Sequence, residues 1–377
     1  MNQLRIGVDI RPLLHPFSGI GRYTHVLLKK IVNSNHQWFF YCDRYYDGSF
    51  DDHINITIRS SNRRGPSIFN LWTSQILFSR WANLDQLDVF WSPRHHLPLF
   101  LSNKIKTLIT IHDLVWRRVP ETMSKKNRII EMLLMPPSLK RADKLIAVSN
   151  YTADEIFDLY PQYAEKTLVV QEAAFEKEDL KENNDELELM ELSLLPKKYF
   201  LFVGTNEPRK NINYLLFSYS QLIKFDPSIG LVLVVGEGWG NEKIEDQLQE
   251  FGLSDKVLHF NNLHDSQMDQ LYKRAHALVL PSYYEGFGLP VLESISRGVP
   301  VIVSNKGSLP EIVSDAGLVV CIEDKGALIE GMKCLCVDDN LHKQLASNCL
   351  LRANDFSWEK ATAETLEIIQ SISTTQV

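Results

Sequence analysis

Residues 277–293 have the sequence Ala-Leu-Val-Leu-Pro-Ser-Tyr-Tyr-Glu-Gly-Phe-Gly-Leu-Pro-Val-Leu-Glu. Four apolar residues of strand length precede a loop with two glycines and then the start of a helix, where a first-turn proline is tolerated. Ligands of open parallel sheets bind at the carboxyl ends of the strands, where this loop would lie. Gly286 and Gly288 let the backbone approach a ligand closely. We expect the amides of residues 288–291 to face an anion such as a phosphate.

Short apolar runs alternate with longer amphipathic runs along the whole chain. Examples are residues 6–10 before a helical pattern at 23–32, and 145–148 before one at 152–159. This alternation is typical of βα units around a parallel sheet. A chain of 377 residues exceeds one ordinary core. The sequence therefore predicts an α/β fold with two Rossmann-like, doubly wound domains.

Composition changes mark the domain boundaries. Residues 172–191 hold nine acidic residues against two lysines and contain no strand-like run, which indicates a linker. We place the first domain at 1–171, the acidic linker at 172–195 and the second domain at 196–357. A terminal helix over 358–377 either ends the second domain or packs back on the first, and its pattern leaves both open.

Charge is distributed unevenly between the two halves. Residues 1–171 hold 22 Lys and Arg against 15 Asp and Glu, whereas the remainder hold 18 against 32. A basic first domain suits an anionic membrane surface or a phosphorylated acceptor. The basic clusters are dispersed and the pI is about 5.9, so nucleic acid is not an expected partner.

The cysteines and the apolar runs indicate the cellular compartment of the protein. The five cysteines form no Cys-x-x-Cys pair and their number is odd, which favours a reducing cytosol. The longest apolar runs have strand length, and the first residues do not form an export signal. We expect a cytoplasmic protein, with peripheral contact at the inner membrane face as a further expectation.

The segment from Glu285 to Glu293 resembles the E-x7-E signature of retaining GT-B glycosyltransferases of family 4, in the form E-G-F-G-L-P-x-L-E. Other segments resemble the same family in order and spacing, so the resemblance spans nearly the whole chain. They are residues 5–9, 18–23, 111–114, 147–149, 202–211, 235–238, 298–302 and 317–319. The resemblance implies two domains that face each other across a cleft, with the donor nucleotide held mainly by the second.

The resemblance also implies a role for each matching residue of the second domain. Arg209 and Lys210, with the helix start at Gly288 and Leu289, would bind the donor diphosphate. Glu285 would be catalytic, and Glu285, Phe287 and Glu293 would contact the donor sugar or the ribose. An acidic residue early in a helix is also stabilised by the helix dipole without any ligand.

One departure from the family concerns the cation after the first strand of the second domain. Many relatives place arginine directly after the glycine of that strand, where this sequence has Thr205. Lys210 matches the lysine expected five positions later. Arg209 is the candidate for the missing guanidinium, and a hydroxyl contact from Thr205 is the alternative.

In the first domain, the resemblance singles out His112 and Gly21. Residues 19–21 resemble the glycine loop that approaches the diphosphate, which makes Gly21 a diphosphate-binding candidate. His112 resembles the family histidine that touches the transferred sugar and is the second catalytic candidate. A histidine after a strand, or a lone Gly-x-Gly turn, is often purely structural.

Two adjacent histidines, His95 and His96, raise the question of a metal. Neighbouring side chains on an extended segment point to opposite faces, and no Cys, Asp or Glu lies close in sequence to complete a zinc site. We therefore expect no metal and no cofactor. Fixed cations and backbone amides would then stabilise the negative charge of the leaving diphosphate.

The activity implied by the resemblance is retaining transfer of a hexose from a nucleotide diphosphate sugar to a hydroxyl of a glycan or lipid-linked acceptor. The match to bacterial mannosyltransferases of polysaccharide or O-antigen assembly favours GDP-mannose, while UDP and other hexoses stay open. Two alternatives also stay open: a GT-B nucleotide-sugar epimerase, and a non-catalytic nucleotide-sugar-binding protein. A dinucleotide-dependent oxidoreductase is disfavoured, because Thr24 stands where the third glycine of its fingerprint belongs.

Overall fold

A computed structural model describes residues 3–15, 18–46, 48, 50, 54–61, 70–174, 195–240, 243–261 and 263–374. Most of the predicted acidic linker, residues 175–194, lies outside the described residues. No helix in the described ranges is long and apolar enough to cross a membrane.

The chain divides into two compact units. The first unit comprises Met1–Leu114, Lys125–Glu172 and Ser357–Val377, and the second comprises Val115–Ser124 and Ala173–Phe356. Residues 115–124, which the sequence places in the first domain, group with the second unit in the structure. One contact that holds them there runs from the Trp239 indole Nε1, which donates to the Thr122 carbonyl over 2.7 Å.

The first unit is built on a parallel sheet. In its described part, seven strands follow the order β3-β2-β1-β4-β5-β6-β7. The strands are β1 (Arg5–Asp9), β2 (Gln37–Cys42), β3 (Ile56–Ser60), β4 (Val89–Ser92), β5 (Lys106–Ile111), β6 (Lys144–Ala147) and β7 (Thr167–Val169). The helices are α1 (Gly19–Ile31), α2 (Asn70–Leu84), α4 (Lys125–Arg141), α5 (Asn150–Leu159) and α13 (Trp358–Thr374), with 3-10 turns at Arg11–Leu14 and Pro161–Lys166.

The second unit repeats this architecture. Six parallel strands among its described residues follow the order β10-β9-β8-β11-β12-β13. They are β8 (Tyr199–Thr205), β9 (Gly230–Gly236), β10 (Val257–Phe260), β11 (Ala277–Leu280), β12 (Val301–Ser304) and β13 (Gly317–Val320). The helices are α3 (Val115–Arg118), α6 (Ile212–Phe225), α7 (Ile244–Glu250), α8 (Asp265–Arg274), α9 (Leu289–Ile295), α10 (Leu309–Val313), α11 (Ala327–Val337) and α12 (Asp339–Ala353), with 3-10 turns at Pro120–Thr122 and Pro208–Lys210.

The central strands of both sheets are buried, which explains their continuous apolar sequences. All four residues of β4, β11 and β12 are buried. The strand order reverses between β1 and β4 in the first unit and between β8 and β11 in the second. At such a reversal the flanking loops diverge, so a crevice opens at the carboxyl ends of the two strands. Each unit therefore has one position where its fold favours a ligand site.

The C-terminal helix α13 belongs to the first unit. Trp358 at its start is buried, and its ring lies 6.1 Å from that of Tyr23 on α1, centroid to centroid. Further along, the Gln370 amide nitrogen lies 3.1 Å from the Nε2 atom of His36.

Candidate active site

Two loops meet at the β8–β11 reversal of the second unit. One follows β8 and contains the turn Pro208–Lys210, and the other follows β11 and contains Glu285. Backbone contacts join them: the Tyr283 amide donates to the Arg209 carbonyl over 2.7 Å, and the Asn211 side-chain amide donates to the Pro281 carbonyl over 3.1 Å. These bonds hold the two loops in one relative position before any ligand binds.

The carboxylate of Glu285 is the centre of this arrangement. Its Oε1 atom accepts hydrogen bonds from Lys210 Nζ at 2.6 Å and from Ser282 Oγ at 2.8 Å. Its Oε2 atom accepts from Arg209 Nη1 at 2.7 Å. The structure thus brings together the three charged residues, Arg209, Lys210 and Glu285, that the sequence predicted to share a site.

Burial and charge act in opposite directions on Glu285. Burial raises the pKa of this carboxyl, but the attraction of Lys210 and then of Arg209 outweighs it and brings the pKa down to about 2. Burial is the main reason why the pKa of Lys210 is lowered, against the attraction of Glu285. At neutral pH, therefore, Glu285 is an anion and does not act as a proton donor.

A second carboxylate, Glu207, holds the other edge of the Arg209 guanidinium. Its Oε2 atom accepts from Arg209 Nε at 2.7 Å, and its Oε1 atom accepts from Thr205 Oγ1 at 2.6 Å. The sequence alone did not single out Glu207 as a site residue. The available signal is the spacing of Thr205 and Glu207, because alternate residues of an extended segment face the same side, whereas Arg209 lies in the turn that follows.

Gly288 is the N-cap of helix α9 and has a backbone conformation that favours glycine, with φ at 112°. A Cβ atom there would lie 2.9 Å from Leu309 Cδ2. The amide of Val291 donates to the Gly288 carbonyl over 2.9 Å, and Pro290 has no N–H. The expectation that all amides of residues 288–291 face an anion is therefore wrong, and only those of Gly288 and Leu289 remain candidates.

Phe287 and Glu293 both have partners inside the second unit. The ring of Phe287 is buried against that of Phe356, with centroids 6.0 Å apart and planes at 83°. Glu293 is also buried, and its Oε2 atom accepts a hydrogen bond from the Tyr272 hydroxyl over 2.6 Å. The Phe287 ring thus packs in the core, and contact of either residue with the donor stays a prediction.

His112 follows β5 in the first unit, and both of its ring nitrogens have partners. Nε2 lies 3.0 Å from the Pro93 carbonyl oxygen, and Nδ1 lies 3.1 Å from Glu172 Oε1. Because a carbonyl only accepts, Nε2 carries a hydrogen. The ring also meets the edge of Tyr23, with centroids 4.8 Å apart. In this structure His112 is a buried, oriented residue, and its contact with the sugar stays a prediction.

Gly21 lies in the first turn of α1, which begins at Gly19. Residues 19–21 were expected to form a glycine loop, but they form the start of a helix. The amide of Gly21 donates to the capping hydroxyl of Ser18 over 3.0 Å. A Cβ at Gly21 would lie 2.2 Å from the His15 carbonyl oxygen, so backbone packing alone requires glycine here.

His95 and His96 do not diverge as the extended-segment argument predicted. His95 Nδ1 lies 3.4 Å and His96 Nε2 lies 3.0 Å from the same atom, Glu131 Oε2 on α4. The sequence could not show this because Glu131 lies 35 positions after His96. No set of three or more His, Cys, Asp or Glu side chains with metal-binding geometry occurs in the ranges that the structure describes.

Comparisons with known proteins match the chain almost end to end. A model described as "Glycosyl transferases group 1" matches residues 188–350, and one described as "Glycosyltransferase Family 4" matches residues 17–172. O-antigen chain mannosyltransferase B of Escherichia coli is 30% identical over 385 aligned residues, which cover 96% of this chain and 98% of that protein. The chain belongs to glycosyltransferase family 4. This confirms the family indicated by the Glu285–Glu293 segment.

A further curated relative and two solved structures are also similar to this chain. O-antigen chain mannosyltransferase RfbU of Salmonella typhimurium is 27% identical over 225 residues and covers 58% of each chain. Sucrose-phosphate synthase from Thermosynechococcus elongatus superposes with a TM-score of 0.80 at 18% identity, covering 99% of this chain and all of that one. WaaG, a glycosyltransferase involved in lipopolysaccharide biosynthesis, superposes with a TM-score of 0.75 at 15% identity. The superposition covers 97% of this chain and 99% of WaaG.

At these identities the solved structures establish the fold alone, and they confirm the α/β, GT-B class. The curated relatives and the family models establish the enzyme class: the protein is a glycosyltransferase. Neither the epimerase nor the non-catalytic binding protein is favoured by these matches.

Proposed function

We propose that this glycosyltransferase moves a hexose, with mannose first among candidates, from a nucleotide diphosphate sugar to a hydroxyl of a glycan or lipid-linked acceptor, with retention of configuration. The observation that carries the proposal is the bonding of Glu285 to both Lys210 and Arg209 at the β8–β11 reversal. A buried lysine and a partly buried arginine beside a carboxylate suit a leaving diphosphate next to a sugar ring.

The charge balance of the cluster bears on how it could hold a diphosphate. Glu207, Arg209, Lys210 and Glu285 form one connected cluster whose formal charges cancel. A diphosphate therefore gains nothing from net charge and must be held by directed hydrogen bonds. One Lys210 hydrogen is directed to Glu285, and the ammonium group has two more that can reach phosphate oxygens.

The bonding of Glu285 also bears on how retention is achieved. Both of its oxygens accept hydrogen bonds from cations, and its pKa is about 2, so it is a weak nucleophile and a weak base. This favours a front-face route, in which the acceptor oxygen bonds to the anomeric carbon on the side that the phosphate leaves. The bond from that carbon to the phosphate oxygen breaks, and the departing oxygen takes the acceptor proton. Glu285 orients the sugar and supports positive charge at its ring.

Mannose and its nucleotide are supported by the relatives. The two O-antigen enzymes, at 30% and 27% identity, are mannosyltransferases by name, which favours GDP-mannose. HepE of Anabaena, 17% identical with a TM-score of 0.74, has been solved with UDP-glucose. UDP sugars therefore belong in the same test.

The decisive experiment is a donor panel. The protein is incubated with GDP and UDP sugars, first alone and then with a glycan acceptor, while NMR follows the anomeric carbon. We expect transfer from GDP-mannose with retained configuration, and full activity in EDTA because Lys210 and Arg209 supply the cations. An epimer formed without acceptor, or nucleotide binding without turnover on any donor, would contradict the proposal.

The acceptor side involves the surface of α4. Ile129, Met132 and Leu133 on this helix are 51%, 52% and 63% exposed. Exposed basic residues, Lys125, Lys126 and Arg128, lie on the same helix. Apolar side chains next to cations bind the interface of anionic bilayers. We propose that α4 makes a peripheral contact with an anionic membrane, which suits a lipid-linked acceptor.

Vesicle flotation tests this contact. The protein should float with vesicles of one-third phosphatidylglycerol and not with pure phosphatidylcholine. Changing Met132 and Leu133 to Ser should release it, whereas the same change at the exposed Leu350 and Leu351 on α12 should not. Equal flotation of both variants would rule out α4 as the contact.

A further inference from the structure

Arg94 lies at the strand reversal of the first unit. It is two positions beyond Ser92, where β4 ends, and β4 pairs with β1 at the point where the strand order reverses. Its side chain is partly buried. Among the described residues, its guanidinium forms no hydrogen bond and no ion pair. A partly buried cation without a partner is costly, and arginine usually has one.

The loop that carries Arg94 is held in place on both sides. Ser92 Oγ donates to the His96 carbonyl over 2.8 Å, and the Leu97 amide donates to Ser138 Oγ over 2.9 Å. The His96 ring is bound to Glu131 on α4. Arg94 is therefore presented by a rigid backbone, so a ligand would not have to order it.

The charged groups around Arg94 do not neutralise it. Asp9 at the end of β1 pairs with Arg11 at 2.6 Å, and Arg11 also donates to Ser74 Oγ at 2.7 Å. Glu131 is bound to His95 and His96. Burial lowers the pKa of Arg94, and repulsion from Arg11 adds to this, against the weaker attraction of Asp9, Glu131 and Asp43.

Asp43, the remaining acidic group near Arg94, follows β2. Its pKa is raised by burial, and its nearest cation is Arg44, with Nε 3.8 Å from Oδ1. Three arginines thus stand against two aspartates at the carboxyl edge of β1, β2 and β4. Arg11 and Arg44 each have an aspartate within ion-pair distance, whereas Arg94 has no such partner among the described residues.

We propose that Arg94 is the anchor of an anion site in the first unit and binds a phosphate group of the acceptor. The inference rests on the proposed function, in which the acceptor faces this unit. A planar guanidinium offers two parallel N–H donors to a phosphate, a geometry that lysine lacks. The site lies at the carboxyl ends of the strands, where doubly wound sheets bind ligands.

The test compares one glycan carried on an alkyl phosphate with the same glycan on an uncharged alkyl chain. Arg94→Gln should weaken calorimetric binding of the phosphorylated form about tenfold to a hundredfold, with no donor present. Arg94→Lys should fall between. The uncharged form and free nucleoside diphosphate should bind Arg94→Gln as they bind wild type. The matched control is Arg80→Gln, which removes an exposed charge from α2 of the same unit.

Each other outcome overturns the inference. Unchanged binding of the phosphorylated glycan by Arg94→Gln means that Arg94 does not contact it. Equal weakening of both glycans indicates a structural role, and weaker nucleotide binding assigns the anion to the donor. Failure of the proposed function gives a different result. In that case wild type would bind the phosphorylated glycan through Arg94 but would transfer no sugar to it from any donor.

Discussion

Lys210 and Glu285 are 75 positions apart in the chain, yet their side chains meet at 2.6 Å, and each residue is only 6% exposed. A buried ion pair is weak support for stability, because desolvation of both charges offsets their attraction. Here Arg209 and Ser282 also donate to the same carboxylate. Apolar residues of similar volume would fill this space without the cost of desolvating charges. This is the arrangement expected where function maintains the charges.

Replacing Lys210 by Met should have two separable effects. The buried Glu285 loses its closest cation, so unfolding free energy should fall by about 3 kcal/mol. Affinity for nucleoside diphosphate should fall by about 1.5 to 3 kcal/mol, the value of a charge-assisted contact. Thermal unfolding and calorimetry measure the two.

The double variant Lys210→Met with Glu285→Gln separates these effects. It removes both charges and should recover much of the stability without recovering the affinity. Lys224→Met, on the exposed face of α6, is the control and should change neither. An affinity that returns with stability would show that Lys210 does not touch the diphosphate.

Acid stability should reveal the charge state of Glu285. Its pKa in the folded protein is about 2, below the ordinary value of 4.5. A lowered pKa stabilises the fold above the unfolded value, and this contribution is lost as pH falls from 4.5 towards 2. The melting temperature of Glu285→Gln should therefore lie below that of wild type at pH 5, and the difference should shrink as pH falls towards 2. The same variant should lose activity by orders of magnitude.

Glu323 provides the comparison for this acid titration. Its pKa is also about 2, because Lys306 bonds to it, but the side chain is exposed. Solvent screens such a pair, so Glu323→Gln should change the acid profile much less. Parallel profiles for wild type and Glu285→Gln would mean that Glu285 is not held as a buried anion.

Glu207 should affect turnover and binding in opposite directions. Glu207→Gln removes one negative charge from a neutral cluster, so ground-state affinity for a nucleoside diphosphate should rise a few-fold. The Arg209 guanidinium loses the charged partner that holds its Nε edge, so kcat should fall about tenfold. Steady-state kinetics and calorimetry separate the two quantities.

The partner variant for Glu207 is Arg209→Gln. If Glu207 acts through Arg209, the double variant should lose no more kcat than Arg209→Gln alone. Additive losses would indicate that Glu207 works independently. A loss of affinity in Glu207→Gln would indicate a structural effect on the whole loop.

Tyr272 tests the ribose role of Glu293. Tyr272→Phe removes the hydroxyl that donates to Glu293 at 2.6 Å, and the fold should lose about 1.5 to 3 kcal/mol, because a buried carboxylate loses a donor. If Glu293 also binds the ribose, wild type should prefer GDP over its 2′,3′-dideoxy form, and Tyr272→Phe should shrink that preference. If Tyr272→Phe prefers GDP over the dideoxy form as strongly as wild type does, Glu293 has only a structural role in α9.

The sequence was sufficient for the fold class because strand and helix patterns are local. Strands such as β6, β8 and β9 are short apolar runs that precede a helix, and burial of the sheet requires apolar residues there. The meeting of Lys210 with Glu285 was also predictable, since both follow strands whose carboxyl ends meet at one edge. Residues 115–124, which the sequence placed in the first domain, group with the second unit in the structure, and the contact of Thr122 with Trp239 leaves no local pattern.

Only the tertiary structure decided which partners the polar side chains take. Glu131 draws His95 and His96 together from 35 or more positions away, Glu172 orients His112, and the ring of Phe287 packs in the core on Phe356. Long-range hydrogen bonds and ring contacts depend on how helices and loops pack over the sheet, and periodicity in one segment carries no information about that. For the same reason, the absence of a partner for Arg94 among the described residues could be read only from the folded chain.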